Sequence, residues 1–365
     1  DDVIYVDETY VNSFGNFIEV RLSGGDDFVD FTGMTGTARV SWQNAADGVD
    51  ASLETGRATD IDLSNGDQIG TDTFVGANYL RGSSFGDRLT GDANDNFFRG
   101  SGGSDTIDGG DGIDRIDHSN STAGIVVDLS IGQVIEDGLG GRDTVSNIEN
   151  VRGTDFDDEI IGDAGANQLR GETGDDILIG GDGHDDLRGG AGNDDLRGGL
   201  GNDTLDGGAG DDTLRSGGTD GSKFGADRLI GGDGNDTLIA EGGQVRLTGG
   251  AGNDTITVTN TFGDPQIDWA RVEYTDAPAG IVANLTGDTL GALASMQIAD
   301  GYGTVDTVSG AHALLDTNYD DVIYVDETYV NSFGNFIEVR LSGGDDFVDF
   351  TGMTGTARVS WQNAA

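Results

Sequence analysis

Between residues 153 and 215 the chain repeats every nine positions: GTDFDDEII, GDAGANQLR, GETGDDILI, GGDGHDDLR, GGAGNDDLR, GGLGNDTLD and GGAGDDTLR. The last three positions alternate polar, apolar and polar, the period-2 pattern of a strand with one buried face. Three residues make a strand of ~10 Å. The first six positions carry up to three glycines, which let the backbone reverse tightly. One nonamer therefore predicts a turn and a short strand, and two nonamers close a flattened coil with strands on two faces. Stacked coils would place each residue ~4.8 Å above its equivalent. Leu178, Leu196 and Leu214 would then form one buried ladder, and Leu187 and Leu205 the opposite one.

The same register runs over residues 82–117. After a link around Lys223 it resumes at Gly225, with GGDGNDTLI from Gly231, a degenerate AEGGQVRLT from Ala240 and GGAGNDTIT from Gly249. An isolated copy, LSGGDDFVD, occupies residues 22–30 and again 341–349. A longer repeat encloses these: residues 1–46 recur letter for letter as 320–365, an offset of 319. Fixed-period recurrence is the mark of repeat architectures. The expectation is a tandem array of which this chain, lacking an initial Met, is an internal piece.

Three related spacers separate the tracts, opening as RVSWQNAADGVDASL from Arg39, RIDHSNSTAGIVVDL from Arg115 and RVEYTDAPAGIVANL from Arg271. Each closes on an aromatic, one residue and Asp: Phe85/Asp87, Phe156/Asp158 and Tyr319/Asp321. Trp42, His118 and Tyr274 thus share one position and are expected to pack at a common corner. The expected segments are 1–38 (aromatic-rich solenoid end), 39–81 (spacer), 82–117 (nonapeptide tract), 118–152 (spacer), 153–257 (main nonapeptide tract), 258–319 (spacer) and 320–365 (start of the next copy). Tyr5, Tyr10, Phe14, Phe17, Phe28 and Phe31 crowd the duplicated segment. They are read as an apolar-filled solenoid turn, with a contact surface between units as the alternative.

Composition narrows the chemistry. Of 365 residues 65 are Gly and 2 are Pro; 67 acids, 56 of them Asp, face 19 basic residues, a net charge of −48. Asp competes for backbone groups and prefers turns, so this Asp excess argues against helices. The charge repels phosphate backbones, which argues against nucleic-acid binding. No apolar run is long enough to span a membrane as a helix. Zero cysteine excludes disulfides, zinc-thiolate sites and thiol nucleophiles. Disorder would suit the charge, but strict periodicity speaks for a fold. Gly82–Gly86, GSSFG, formally matches the nucleophile elbow G-x-S-x-G; it opens a nonamer and is read as a turn. No HExxH or GKS is present, and the three histidines are read as packing or solvated residues. The chain is expected not to be an enzyme.

The sixth-position aspartates would stack as the leucines do. Two carboxylates ~4.8 Å apart repel by ~0.9 kcal/mol in bulk water and several-fold more at an effective dielectric near 20. The arginines of the main tract, Arg170, Arg188, Arg197 and Arg215, all fall at the ninth position. A hard cation resolves the conflict: Ca²⁺ takes six to eight oxygens, from carboxylates and backbone carbonyls together. Mg²⁺ demands stricter octahedra, and soft-metal ligands are missing. One apolar residue per nonamer is too little to offset ordering nine backbones. The tracts are therefore expected to fold on binding Ca²⁺, the metal supplying folding free energy.

These nonamers resemble the RTX, or haemolysin-type, calcium-binding repeat family, whose pattern is GGxGxDxUx. The resemblance implies an all-β fold: a right-handed parallel β-roll, or β-solenoid, with Ca²⁺ in the turns, here interrupted by three β-rich spacers. It also implies type I export in the unfolded state and folding outside the cell. The positions it assigns to calcium are Asp105, Asp114, Asp176, Asp185, Asp194, Asp203, Asp212, Asp236 and Asp254, with weaker fits at Asp27, Asp87, Asp158, Asp227 and Asp346. Asn96, Asn167 and Val245 stand where the family has Asp, so weak or empty sites are expected there. The resulting reading is a structural module of an extracellular or cell-surface tandem-repeat protein (stalk, filament, adhesin or coat) that binds roughly ten calcium ions. Its expected partners are calcium and further copies of itself, with no nucleic acid and no membrane span; the adhesion target is unknown. The alternative is the secretion and folding region of an exported protease, lipase or polysaccharide epimerase.

Overall fold

The computed structural model describes residues 2–6, 17–34, 36–61, 69–217, 226–259, 269–285, 296–309, 311–325, 336–351, 353 and 356–361. Tyr10, Phe14 and the link around Lys223 lie outside the described residues. The chain divides into two compact units, one of Asp1–Asp163 with Gln168–Glu172, the other of Ala164–Asn167 with Thr173–Ala365. Among the described residues regular structure is strand throughout, save one 3-10 turn at Leu129–Ile131.

In the second unit successive strands alternate between two parallel sheets. One holds Ile177–Gly183, Asp195–Gly201, Thr213–Arg215, Thr237–Ala240 and Thr255–Val258. The other holds Asp186–Ala191, Thr204–Ala209, Ala226–Asp233, Gln244–Ala251 and Trp269–Glu273. Leu178, Leu196, Leu214, Leu238 and Ile256 pair in register down the first; Leu187, Leu205, Leu229, Leu247 and Val272 pair down the second. All ten are fully buried. The two leucine ladders that the nonapeptide pattern predicts are both present.

Several strands exceed the expected three residues because the turn itself pairs across coils: Ile177–Gly183 matches Asp195–Gly201 through Gly181↔Gly199 and Gly183↔Gly201. The glycines at positions two and four of a nonamer make this possible. Gly190 and Gly192 sit at φ +125° and +138°, and a Cβ on Gly192 would stand 1.9 Å from the Gly174 carbonyl of the coil below. Only glycine permits that backbone and that approach.

The spacers are where antiparallel pairing enters. Val49–Ser52, Arg57–Asp60 and Thr71–Val75 form a three-stranded antiparallel meander. Val126–Asp128, Gln133–Glu136 and Asp143–Ser146 repeat it in the same unit, and Val282–Leu285, Gln297–Ala299 and Val305–Ser309 do so in the second. Each first strand pairs in parallel with the strand that follows the spacer, and each third strand with one that precedes it. The opposite sheet continues without a break, Ala38–Ser41 on Tyr79–Arg81, Arg115–Asp117 on Asn150–Arg152 and Trp269–Glu273 on Ala313–Leu315. A spacer is thus one coil of the roll with two strands added on one face.

The shared corner position is a packing position, as expected, with a polar addition. Trp42 is fully buried and its Nε1 donates to Asp72 Oδ2 at 2.7 Å. The buried Tyr274 hydroxyl donates to Asp306 Oδ2 at 2.8 Å. His118 Nε2 is buried with no hydrogen-bond partner.

Candidate metal centre

The sixth-position aspartates of the nonapeptide tracts stand immediately before their strands, save Asp227 inside Ala226–Asp233, and turn their side chains back under the loop. In each, Oδ1 accepts the main-chain N–H of the equivalent residue in the neighbouring coil. In the second unit Asp194 accepts from Asp176, Asp212 from Asp194, Asp236 from Asp212 and Asp254 from Asp236, all at 2.8–2.9 Å. On the opposite edge Asp185 accepts from Asn167, Asp203 from Asp185 and Asp227 from Asp203, at 2.8, 3.0 and 2.9 Å. In the first unit Asp105 accepts from Asp87 and Asp114 from Asn96, both at 2.7 Å. Asp27 and Asp346 take the N–H of Asp2 and Asp321, at 2.7 and 3.1 Å. One oxygen of each carboxylate therefore belongs to the backbone ladder.

The second oxygen has a different fate. Oδ2 of Asp105, Asp114, Asp194, Asp203, Asp212, Asp236 and Asp254 is buried with no hydrogen-bond partner. It lies over the first glycine of its own nonamer, so closely that a Cβ on Gly189 would meet Asp194 Oδ2 at 2.1 Å and the Gly207 carbonyl oxygen at 2.7 Å. Gly207–Asp212, Gly231–Asp236 and Gly249–Asp254 repeat the approach to Oδ2. The glycine at position one is required by contact, where those at positions two and four are required by φ. Burying a carboxylate disfavours its charged form. Desolvation accordingly pushes Asp194, Asp254 and Asp114 up to about 6, Asp212, Asp236 and Asp227 to about 7, and Asp105, with Asp143 beside it, to about 8. Buried carboxylate oxygens of this kind need a proton or a cation. A donor set of orphaned carboxylate and carbonyl oxygens, free of nitrogen and sulfur, fits a hard ion such as Ca²⁺.

Asp87 and Asp158 share the ladder position but not this arrangement. Asp87 Oδ1 accepts from Val49 N–H at 2.7 Å and Oδ2 from Ser83 N–H at 2.6 Å, with Ser83 Oγ 3.0 Å from Oδ1. Asp158 repeats this with Ile125 N–H at 2.8 Å, Thr154 N–H at 2.7 Å and Thr154 Oγ1 at 2.9 Å. Ser83 or Thr154 also accepts from the N–H of Phe85 or Phe156, both at 3.0 Å. In GSSFG, then, Ser83 closes a turn around an aspartate. Asn96 uses its side-chain oxygen on Asp92 N–H at 2.7 Å, and Val245 pairs with Asp227 as a buried apolar residue that ends its column.

Two sets of residues in these ladders escape the nonapeptide pattern. Asp72, Asp143 and Asp306 continue the sixth-position column across the meanders, accepting from Asp27, Asp105 and Asp254 N–H at 3.1, 2.9 and 3.0 Å; Glu149 does the same for Asp114 at 2.7 Å. The added strands stretch the spacing from 18 residues to between 35 and 52, which hides them. The signal is the Asp-Thr-apolar triplet shared by Asp72-Thr73-Phe74, Asp143-Thr144-Val145 and Asp306-Thr307-Val308 with Asp203-Thr204-Leu205. Fifth-position residues form a second, exposed column: Asp175, Asn193, Asp211 and Asn235 each accept from the next residue in the column at 2.7–2.9 Å, and His184 Nδ1 likewise accepts from Asn202.

The profile of the RTX calcium-binding nonapeptide repeat matches the chain in four copies, over residues 81–116, 152–187, 188–221 and 224–256. Those stretches contain the orphaned Oδ2 column and its glycine cradles. RTX repeats bind Ca²⁺, which identifies the ion that the donor set accommodates, and such repeats are typical of secreted proteins. Periodicity, turn geometry and profile agree that these four stretches are RTX calcium-binding nonapeptide repeats.

Proposed function

We propose that this calcium-binding repeat module is a structural segment of a tandemly repeated extracellular protein, a stalk, filament, adhesin or surface coat. It orders on roughly ten Ca²⁺ ions after type I export and does no chemistry of its own. The observation that carries the tandem reading is that the duplicated ends pair alike. Val3↔Phe28, Ile4↔Val29 and Tyr5↔Asp30 in the first unit recur as Val322↔Phe347, Ile323↔Val348 and Tyr324↔Asp349 in the second. A further copy thus meets the same strand register that this one begins with. Calcium holds the carboxylates of the nonapeptide turns: Asp105, Asp114, Asp176, Asp185, Asp194, Asp203, Asp212, Asp227, Asp236 and Asp254. Asp87 and Asp158 serve as spacer closures instead, since the chain already occupies their oxygens. Among the described residues no helix is long and apolar enough to cross a membrane.

Electron microscopy of polypeptides with one, two and three successive 319-residue units tests the proposal. In millimolar Ca²⁺ the contour should lengthen by a constant increment per unit, and chelator should abolish it. A contour that does not grow with unit number removes the structural role and leaves the secretion-region reading.

A further inference from the structure

We propose a cation site beyond the matched nonapeptide tracts, formed by Asp316 and Asp321 of the spacer closure with Asp346 of the isolated nonapeptide, that clasps the end of the third spacer to the first turn of the following copy. One carboxylate oxygen from each lies within 4.8 Å of the other two. Asp316 and Asp321 are fully buried. The inference rests on calcium-dependent folding but concerns residues that the repeat profile does not reach.

Position 316 is the telling one. The first two spacers close as Gly82-Ser83-Ser84-Phe85-Gly86-Asp87 and Gly153-Thr154-Asp155-Phe156-Asp157-Asp158; the third closes as Asp316-Thr317-Asn318-Tyr319-Asp320-Asp321. In the first two the leading glycine is pressed against the closing carboxylate, its notional Cβ 2.1 and 2.2 Å from Oδ2 of Asp87 and Asp158. The third spacer keeps the rest of the closure: Thr317 N–H donates to Asp321 Oδ2 at 3.2 Å, Thr317 Oγ1 to Oδ1 at 3.0 Å, and Ile281 N–H to Oδ1 at 2.6 Å. It nevertheless places a second acid where the others have no side chain at all.

Asp316 Oδ1 is used, accepting Ser342 N–H at 2.8 Å. Asp346 Oδ1 accepts Asp321 N–H at 3.1 Å. Oδ2 of both Asp316 and Asp346 is buried and has no hydrogen-bond partner. Among the described residues no ion pair reaches any of the three. Asp321 is held by Thr317 and Ile281 as Asp87 and Asp158 are held in their closures, but here the orphaned oxygens of Asp316 and Asp346 converge on it, and a bonded carboxylate oxygen keeps a second lone pair. Without a cationic neighbour the three form an oxygen-only donor set for a hard divalent ion. A proton shared between Asp316 and Asp321 is the competing solution. The site joins residues 316–321 to 342–346, so it fastens the two sides of the boundary at which the 319-residue repeat restarts.

A crystal structure of the chain grown in millimolar Ca²⁺, with an anomalous difference map, decides it. A peak at coordination distance from all three carboxylates is expected, together with peaks in the nonapeptide turns. Asp316→Gly, which restores the residue of the first two spacers, should lose that peak and one bound ion in equilibrium dialysis, with the turn ions kept. Asp316→Asn serves the same purpose should the glycine variant fold poorly. Calcium in the turns with none at this cluster, or an unchanged ion count in both variants, overturns the site and leaves the module reading intact. Calcium in neither place overturns both.

Discussion

The nonapeptide turns of the second unit and the spacer corners of the first use one aspartate position in opposite ways. At Asp212 one oxygen caps the neighbouring coil and the other is buried with nothing to accept. At Asp158 the backbone of Ile125 and the backbone and hydroxyl of Thr154 occupy both oxygens. A hydroxyl four residues upstream converts a site that needs an external ion into one that the polypeptide completes itself. Neutralising a buried carboxylate from within requires several well-placed donors, and a G-G-x-G turn has no side chain to provide them. Calcium dependence is therefore a local consequence of turn composition, and it should be distributed unevenly along the chain.

Removing calcium should expose that unevenness most strongly. In excess EGTA hydrogen exchange over residues 176–256 should accelerate by several orders of magnitude, because ion binding supplies folding free energy to the tract. Amides of the 49–75 meander, which closes on Trp42 and Asp72, should retain protection longer. Equal loss in both segments would mean that the corners derive no stability from their internal hydrogen bonds.

Closing the cradle should come next. The Cβ of Gly189→Ala falls on Asp194 Oδ2 and the Gly207 carbonyl, a collision worth about 1–3 kcal/mol of overpacking. Calcium titration followed by circular dichroism should show a higher midpoint. Unchanged affinity would show that Oδ2 points elsewhere when the ion is bound.

Charge removal should then separate the two kinds of aspartate by sign. Asp212→Asn keeps an oxygen for Asp194 N–H and deletes a charge that desolvation penalises. It should weaken Ca²⁺ binding yet leave the chelated protein as stable as the unmodified one, or more so. Asp158→Asn leaves a buried N–H or hydroxyl donor without an acceptor and should cost about 1–2 kcal/mol with or without calcium. Urea unfolding in both conditions reads the pair, and parallel behaviour of the two variants would dissolve the distinction.

Much of this was legible in the residues. The nine-residue period locates the leucine ladders and the stacked aspartates, because every coil is a copy and each position has one environment. The meanders were not legible. Val49–Ser52 and Arg57–Asp60 look like any other short alternating runs, and only long-range pairing tells a parallel neighbour from an antiparallel one. The Ser83 and Thr154 closures were hidden for a related reason: a serine in GSSFG carries no mark of which carboxylate it faces. Asp316 differs visibly from Gly82 and Gly153 once the spacers are aligned, yet its meaning depends on Asp346 of the next copy, which no local pattern connects to it.

The corner residue offers the finest test, because the three spacers differ there by one side chain. Trp42 and Tyr274 each donate to a buried aspartate, whereas His118 Nε2 and Asp143 Oδ2 are both buried without a partner. Burial depresses the His118 pKa to about 4, against the partial opposition of Asp117 and Asp137 and with Arg99 reinforcing it. A histidine whose folded pKa lies below its unfolded value near 6.5 contributes stability that is complete above pH 6.5 and is lost as the pH falls toward 4. Acidification from pH 7 to 5 should therefore cost the middle spacer about 1–2 kcal/mol through this group. His118→Tyr removes that titration and supplies the hydroxyl that Tyr274 uses on Asp306. Compared at fixed calcium, the variant should gain about 1 kcal/mol at neutral pH and lose less stability on acidification than the unmodified chain. If both proteins lose the same amount between pH 7 and 5, the acid response belongs to the carboxylates, and the aromatic–aspartate bond at the other two corners is a packing contact with no independent weight.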